Sequence, residues 1–100
     1  MPLLAGKHPL TESYIDLLAP DEPGVYGLYE GQETIYYGSS DDSIRSRLQD
    51  HLNGHEGQRT QAATHFGMEA TPYPVTREGE LLREHRARYG RLPRCNDGLR

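Results

Sequence analysis

Two runs rich in β-branched and aromatic residues, Gly24-Val25-Tyr26-Gly27-Leu28-Tyr29 and Thr34-Ile35-Tyr36-Tyr37-Gly38, flank the polar tetrapeptide Glu30-Gly31-Gln32-Glu33. Each run has the length and residue types of a strand. A short polar link containing glycine lets one strand turn back on the next, so residues 24–38 read as a β-hairpin. Whatever else the chain does, it must build on that hairpin.

The remaining elements are read from periodicity and punctuation. Tyr14, Ile15, Leu17 and Leu18 follow Thr11 or Ser13 as a cap, and Pro20 and Pro23 then stop a short helix. Residues 1–23 are accordingly expected to be an N-terminal extension whose helix serves as a lid. Asp41 or Asp42 can cap a second helix carrying Ile44, Leu48 and Leu52 at i, i+4, i+8, running to about Asn53 with Gly54 to end it. Residues 58–65 are weakly helical, and residues 66–73 alternate loosely as a third strand ending at Pro72 or Pro74. Thr76 can cap a last helix with Glu78 and Glu80 in its first turn, an apolar stripe of Leu81, Leu82, His85 and Tyr89, and Gly90 as its stop. The expected class is α+β, helices packed on a small antiparallel sheet.

At 100 residues the chain suits one compact domain. Its lone cysteine, Cys95, has no internal partner for a disulfide, and no charged n-region precedes an apolar run. Neither secretion nor membrane insertion is indicated, and a cytoplasmic protein is expected. The formal net charge of −4 argues against a tight free-standing nucleic-acid binder, because Lys and Arg neutralising phosphates supply most non-specific affinity. That average hides an asymmetry: residues 1–69 carry −7 and residues 70–100 carry +3, the latter with seven arginines. A nucleic acid would therefore dock near the C-terminal segment.

Taken in order, Gly24-Val25-Tyr26, then Tyr36-Tyr37-Gly38, then Arg47, His51, Glu84 and Asn96 resemble the GIY-YIG nuclease family over residues 24–96. The tripeptides are weak motifs singly. The ten-residue tyrosine spacing, the Arg-x-x-x-His pair and the Leu92-Pro93-Arg94-Cys95-Asn96 terminus together carry the resemblance. It implies a three-stranded antiparallel sheet flanked by helices and hydrolysis of a nucleic-acid phosphodiester, most naturally in DNA, with a single Mg²⁺ or Mn²⁺ ion. It also implies that Tyr26 is a general base or water-positioning group, that Tyr36 is its partner at the phosphate, and that Gly24, Gly38 and Asn96 support the site.

The residue chemistry agrees. Phosphoryl transfer needs charge stabilisation, an activated water and a Lewis acid, and Arg47, a tyrosine–histidine set and a carboxylate can supply these. Tyrosine, with an ordinary pKa of about 10, is a poor base unless a neighbour helps, and Arg47 or His51 is placed to do so. Those two, four apart on one helix, lie side by side. One residue such as Asp42 must count as inserted to reach the family's commonest spacing. For the metal the last helix offers Glu78, Glu80 and Glu84. Helical angles put Glu84 just off the apolar stripe, twelve residues before Asn96, and favour it over Glu80.

Parity adds a structural condition. Tyr26 and Tyr36 share a sheet face only if their pairing sum is even, which requires an odd loop or a bulge, and a turn of three or five residues is expected. Tyr37 then falls on the packing side. The rival reading is a catalytically weak or inactive nucleic-acid-binding module of the same fold. In either reading, targeting is expected from a separate DNA-binding protein or a homodimer.

Overall fold

The computed structural model describes residues 5–54 and 61–96. In chain order the elements are β1 (Ala5–Pro9), α1 (Glu12–Leu18), β2 (Gly24–Glu30), β3 (Glu33–Ser40), α2 (Ile44–Leu52), β4 (His65–Ala70) and α3 (Pro74–Tyr89). The four strands form one antiparallel sheet in the order β1-β4-β2-β3. The class is α+β as expected, but with four strands where three were expected. The additional strand, β1, comes from the presumed extension. Its Ala-Gly-Lys-His-Pro sequence has little strand propensity, its register against β4 is irregular between Ala5 and His8, and its proline is tolerated because the strand lies at an edge.

β2 is the spine of the molecule, hydrogen-bonded to β3 on one side and β4 on the other. Both its edges are therefore paired, and with helices against both faces Gly24 through Tyr29 are all buried. On one face Tyr26, Leu28, Ile35 and Phe66 meet Ile15 of α1 with Ile44 and Leu48 of α2. On the other, Val25 and Tyr37 meet Leu81 of α3.

The hairpin resolves the parity condition in an unexpected way. Its turn has two residues, Gly31 and Gln32, since Glu30 pairs with Glu33, and Gly31 takes the left-handed φ of 61° that glycine permits. The change of parity comes instead from a bulge. Tyr29 pairs with Thr34 but Leu28 pairs with Tyr36, so Ile35 is the extra residue. Tyr26 and Tyr36 consequently share a face and Tyr37 turns to the other, so the expectation of a three- or five-residue turn is corrected.

Two caps also differ. Ser43, not Asp41 or Asp42, caps α2, its side chain accepting from the Ser46 amide at 3.1 Å. Ser40 Oγ in turn accepts from the amides of Asp42 and Ser43, which uses the aspartate region as a turn. α3 begins at Pro74 rather than after Thr76; a first-turn proline has its φ pre-set and lacks an N–H that would go unsatisfied there. Thr11 caps α1, and Gly90, at φ 80°, ends α3 as expected. Of the weakly helical stretch 58–65, residues 58–60 lie outside the described residues, and His65 opens β4. Among the described residues no helix is long and apolar enough to cross a membrane.

Candidate active site

β2 sets Tyr26 opposite Gly38 of β3, and the bulge sets Tyr36 opposite Leu28 on the same face. α2 lies over that face and lowers His51 onto the pair. The Tyr26 hydroxyl and His51 Nε2 are 2.8 Å apart in a buried hydrogen bond. The three rings form one cluster, with centroids 6.2 Å apart for Tyr26 and Tyr36, 5.4 Å for Tyr26 and His51, and 5.3 Å for Tyr36 and His51. The requirement for glycine at 38 follows directly. A Cβ there would fall 2.5 Å from Tyr26 Cζ and 2.9 Å from Tyr36 Cε2, and would collide with the Tyr26 hydroxyl. Only a bare backbone lets the phenol lie across the neighbouring strand.

Arg47 precedes His51 by one helical turn on α2 and buries its Nε. Its charge and the burial of the imidazole act together: desolvation first, then Arg47, lower the His51 pKa to about 4, partly opposed by Asp50. His51 is thus neutral near neutral pH, and in the tautomer with hydrogen on Nδ1 its Nε2 accepts from the Tyr26 hydroxyl. This shift couples to stability. The unfolded imidazole, with a pKa of about 6.5, binds a proton that the folded one refuses between about pH 6.5 and 4, so stability present above that window is lost as pH falls through it. Urea melts of the parent at pH 7 and pH 4.5 should differ by about 2 kcal/mol from this group, and His51→Gln should flatten that part of the profile.

The three glutamates of α3 are separated by what they meet. Glu78 Oε1 accepts from Ser39 Oγ at 2.5 Å, one residue before the end of β3. Glu80 is held by Arg77 at 3.1 Å. Glu84, expected to enter the site from beside the apolar stripe, lines a cavity with Thr34, Tyr37 and His85. Tyr37 packs on the face opposite Tyr26, Tyr36 and His51, and Ser39, two residues on, shares its face, so Glu84 and Glu78 meet β3 on the same side. Glu84 Oε1 is buried with no hydrogen-bond partner among the described residues.

The two remaining supporting residues are structural in what they touch. Asn96 Oδ1 accepts from the Tyr37 amide at 2.9 Å and its Nδ2 donates to the Tyr37 carbonyl at 3.0 Å, while the Cys95 amide donates to the Ile35 carbonyl. The side-chain amide thereby pairs with the outer edge of β3 as a further strand would, pinning the strand that carries Tyr36. Gly24 lies where β2, β4 and α2 converge, too close to Glu69, Ala70 and Ile44 for any side chain. Ser39, which sequence reasoning passed over, engages Glu78; a serine near the end of a strand carries no signal of such a contact.

No protein-family model and no curated protein sequence matches the chain. Solved structures do. The GIY-YIG N-terminal endonuclease domain of UvrC from Thermotoga maritima, a point mutant bound to its catalytic divalent cation, aligns at 26% identity with a TM-score of 0.61. The alignment covers 74% of this chain and 87% of that one. The same domain bound to magnesium aligns at 26% identity and a TM-score of 0.59, covering 74% of this chain and 88% of that one. With the shared hairpin face and the tyrosine–histidine cluster beneath α2, these likenesses establish that the chain has a GIY-YIG-like fold.

Proposed function

We propose that the cluster of Tyr26, Tyr36, Arg47 and His51 makes this chain a divalent-metal-dependent endonuclease hydrolysing phosphodiester bonds in nucleic acid, DNA above all. The observation that carries the reading is the buried 2.8 Å hydrogen bond between the Tyr26 hydroxyl and neutral His51, with Arg47 one helical turn away. A buried phenol paired to an imidazole adds little to packing that phenylalanine would not supply. It is well suited to moving a proton.

In the proposed reaction a water held at Tyr26 Oη gives up its proton to that oxygen as the phenol passes its own to His51 Nε2, and the resulting hydroxide attacks phosphorus. The P–O bond to the leaving oxygen breaks opposite. With its pKa near 4, His51 orients the Tyr26 hydroxyl in the resting protein and does not deprotonate it. An anionic phosphate arriving beside the imidazole favours its cationic form, which ties proton transfer to substrate binding. Arg47 supplies a guanidinium fork for the non-bridging oxygens, and Tyr36 lends its hydroxyl to the same phosphate.

The donor set fits a hard cation that keeps most of its waters. No group of three or more His, Cys, Asp or Glu side chains converges among the described residues, and magnesium or manganese is commonly held by one or two carboxylates. Glu84, whose buried Oε1 has no hydrogen-bond partner among the described residues, is the carboxylate we assign to the ion, Glu78 and Glu80 being engaged by Ser39 and Arg77. When bound, the ion would supply Lewis acidity and charge neutralisation at the leaving oxygen. Docking of the nucleic acid falls to the arginine-rich segment 70–100, and the net charge of −4 favours a targeting partner or a second copy of the chain.

The test is nicking of supercoiled plasmid with Mg²⁺ or Mn²⁺ titrated in. Nicking should require the metal and stop with chelator, and Glu84→Ala should raise the half-saturating metal concentration at least about tenfold. Metal-independent nicking overturns the reading. The same metal response in Glu80→Ala or Glu78→Ala alone would move the ligand to that carboxylate and leave the reading standing.

A further inference from the structure

The carboxylate assigned to the ion shares its cavity with a second acceptor that the tyrosine–histidine cluster does not use. Glu84 lines a space of about 340 Å³ with Thr34, Tyr37, His85, Arg88 and Tyr89. Arg88, one helical turn on and the usual i,i+4 partner for a glutamate, lies instead over the Tyr89 ring, 5.9 Å from its centroid. Glu84 Oε1 stays buried and without a hydrogen-bond partner among the described residues. His85 is held in one orientation. Its ring packs on Tyr89 with centroids 4.6 Å apart and meets Tyr37 edge-on at 6.2 Å. α3 ends at Gly90, whose left-handed φ of 80° turns the chain so that the Arg91 carbonyl comes back to His85 Nδ1 at 2.8 Å. A carbonyl oxygen only accepts, so Nδ1 carries the hydrogen, and in the neutral ring Nε2 is the acceptor.

A carboxylate acceptor and an imidazole acceptor in one cavity are complementary to a hydrated cation. Mg²⁺ and Mn²⁺ keep several of their waters when one or two carboxylates hold them, and a water on such an ion is a strong hydrogen-bond donor. The cavity has the room. At about 30 Å³ per water, five waters occupy about 150 Å³, less than half of the space that Glu84 and His85 line. Direct ligation by both residues is disfavoured, because consecutive positions on a helix point about 100° apart and do not face one another. A water of the ion spans that divergence. Orienting groups of this kind, one step out from the ligand, commonly change metal affinity by about 10–100-fold.

We propose that His85 is a positioning residue for the metal site, its Nε2 accepting from a water of the ion that Glu84 holds while the Arg91 carbonyl fixes the tautomer. This rests on the assignment of Glu84 above and adds to it the group that orders the ion's hydration. Mn²⁺ binding to the full chain without nucleic acid, read from the electron paramagnetic resonance signal of the free ion, tests it, with circular dichroism on every variant. His85→Gln sets a side-chain oxygen near the position of Nε2. His85→Asn sets its amide near Nδ1, where it keeps only the Arg91 contact. His85→Gln should bind Mn²⁺ within about threefold of the parent, and His85→Asn and His85→Ala about tenfold or more weakly. Binding kept in His85→Asn and weakened in His85→Gln overturns the proposal and makes the ring a prop for the Arg91 turn. Equal weakening in all three variants also overturns it. Parent affinity in all three, with binding lost in Glu84→Ala, overturns it and leaves the metal assignment intact. Mn²⁺ binding absent from the parent, or unchanged in Glu84→Ala, overturns both. An imidazole nitrogen bonded directly to Mn²⁺ in the spin-echo modulation of the parent overturns the water-mediated role.

Discussion

Gly24→Ala should cost more than about 3 kcal/mol of stability and leave the chain largely unfolded under mild denaturing conditions. Overpacking a core usually costs about 1–3 kcal/mol because neighbouring side chains give way. Here the neighbours are not all side chains. The added Cβ would collide with the backbone carbonyl oxygen of Glu69, lie 2.9 Å from the Ala70 Cα and meet Ile44 Cδ1 at 2.5 Å. Gly24 pairs with both Ser40 and Ala70, so β2 cannot retreat without breaking ladders on two sides. Gly31→Ala is the comparison: nothing lies within 4 Å of its Cβ and the cost is confined to a left-handed φ of 61°, about 1–2 kcal/mol. Urea midpoints by circular dichroism separate the two, and similar losses at both positions would contradict the account of the β2–β4–α2 junction.

Arg47→Ala should lower plasmid nicking about a thousandfold, equivalent to about 4 kcal/mol of transition-state stabilisation, while the fold persists. Its guanidinium is the cation proposed to face the non-bridging oxygens as charge gathers there. Arg47→Lys should recover little, since a point charge does not reproduce the bidentate fork. An independent signature comes from His51. Arg47 contributes to holding the imidazole pKa at about 4, so its removal should move that pKa upward, as followed by an NMR titration of the imidazole. A nicking defect with an unmoved His51 titration would mean that Arg47 acts far from the cluster.

The parts of this fold that could be read in advance are those set by local chemistry. The hairpin was legible because its two runs are strand-like and the linker between them turns, and the opposite facing of Tyr36 and Tyr37 followed from the two-residue period of a strand. Even so, parity arithmetic demands only one odd element and does not distinguish a three-residue turn from a bulge; Ile35 as the extra residue satisfied it. β1 was illegible because an edge strand paired on one side tolerates Gly, Lys and Pro, and its partner β4 supplies the order. The cap of α2 was misplaced by one or two residues because aspartate and serine are equally good caps, and Ser40 decides between them by holding the turn.

The site divides in the same way. Tyr26, Tyr36, Arg47 and His51 lie on elements whose periodicity is visible, and the structure draws Tyr26, Tyr36 and His51 into one ring cluster with Arg47 acting on His51. The glutamates were harder. A helical wheel gives the angle of Glu84 relative to Leu81 but not which sheet face α3 covers, nor where along β3 each turn lies. With α3 on the Val25–Tyr37 face, its first turns reach Ser39 and its later turns reach Tyr37. Ser39 and Tyr37 share that face, so Glu78 and Glu84 are separated along β3 and not across it.

The most direct measurement of the central claim is the rate of Mg²⁺-dependent nicking by Tyr26→Phe relative to the parent, with circular dichroism on both. Phenylalanine preserves the buried ring and removes only the oxygen bonded to His51. The account predicts an intact fold and a rate at least about a hundredfold lower. An intact fold with an undiminished rate would contradict it, because the hydroxyl at the centre of the cluster would then have no part in the chemistry.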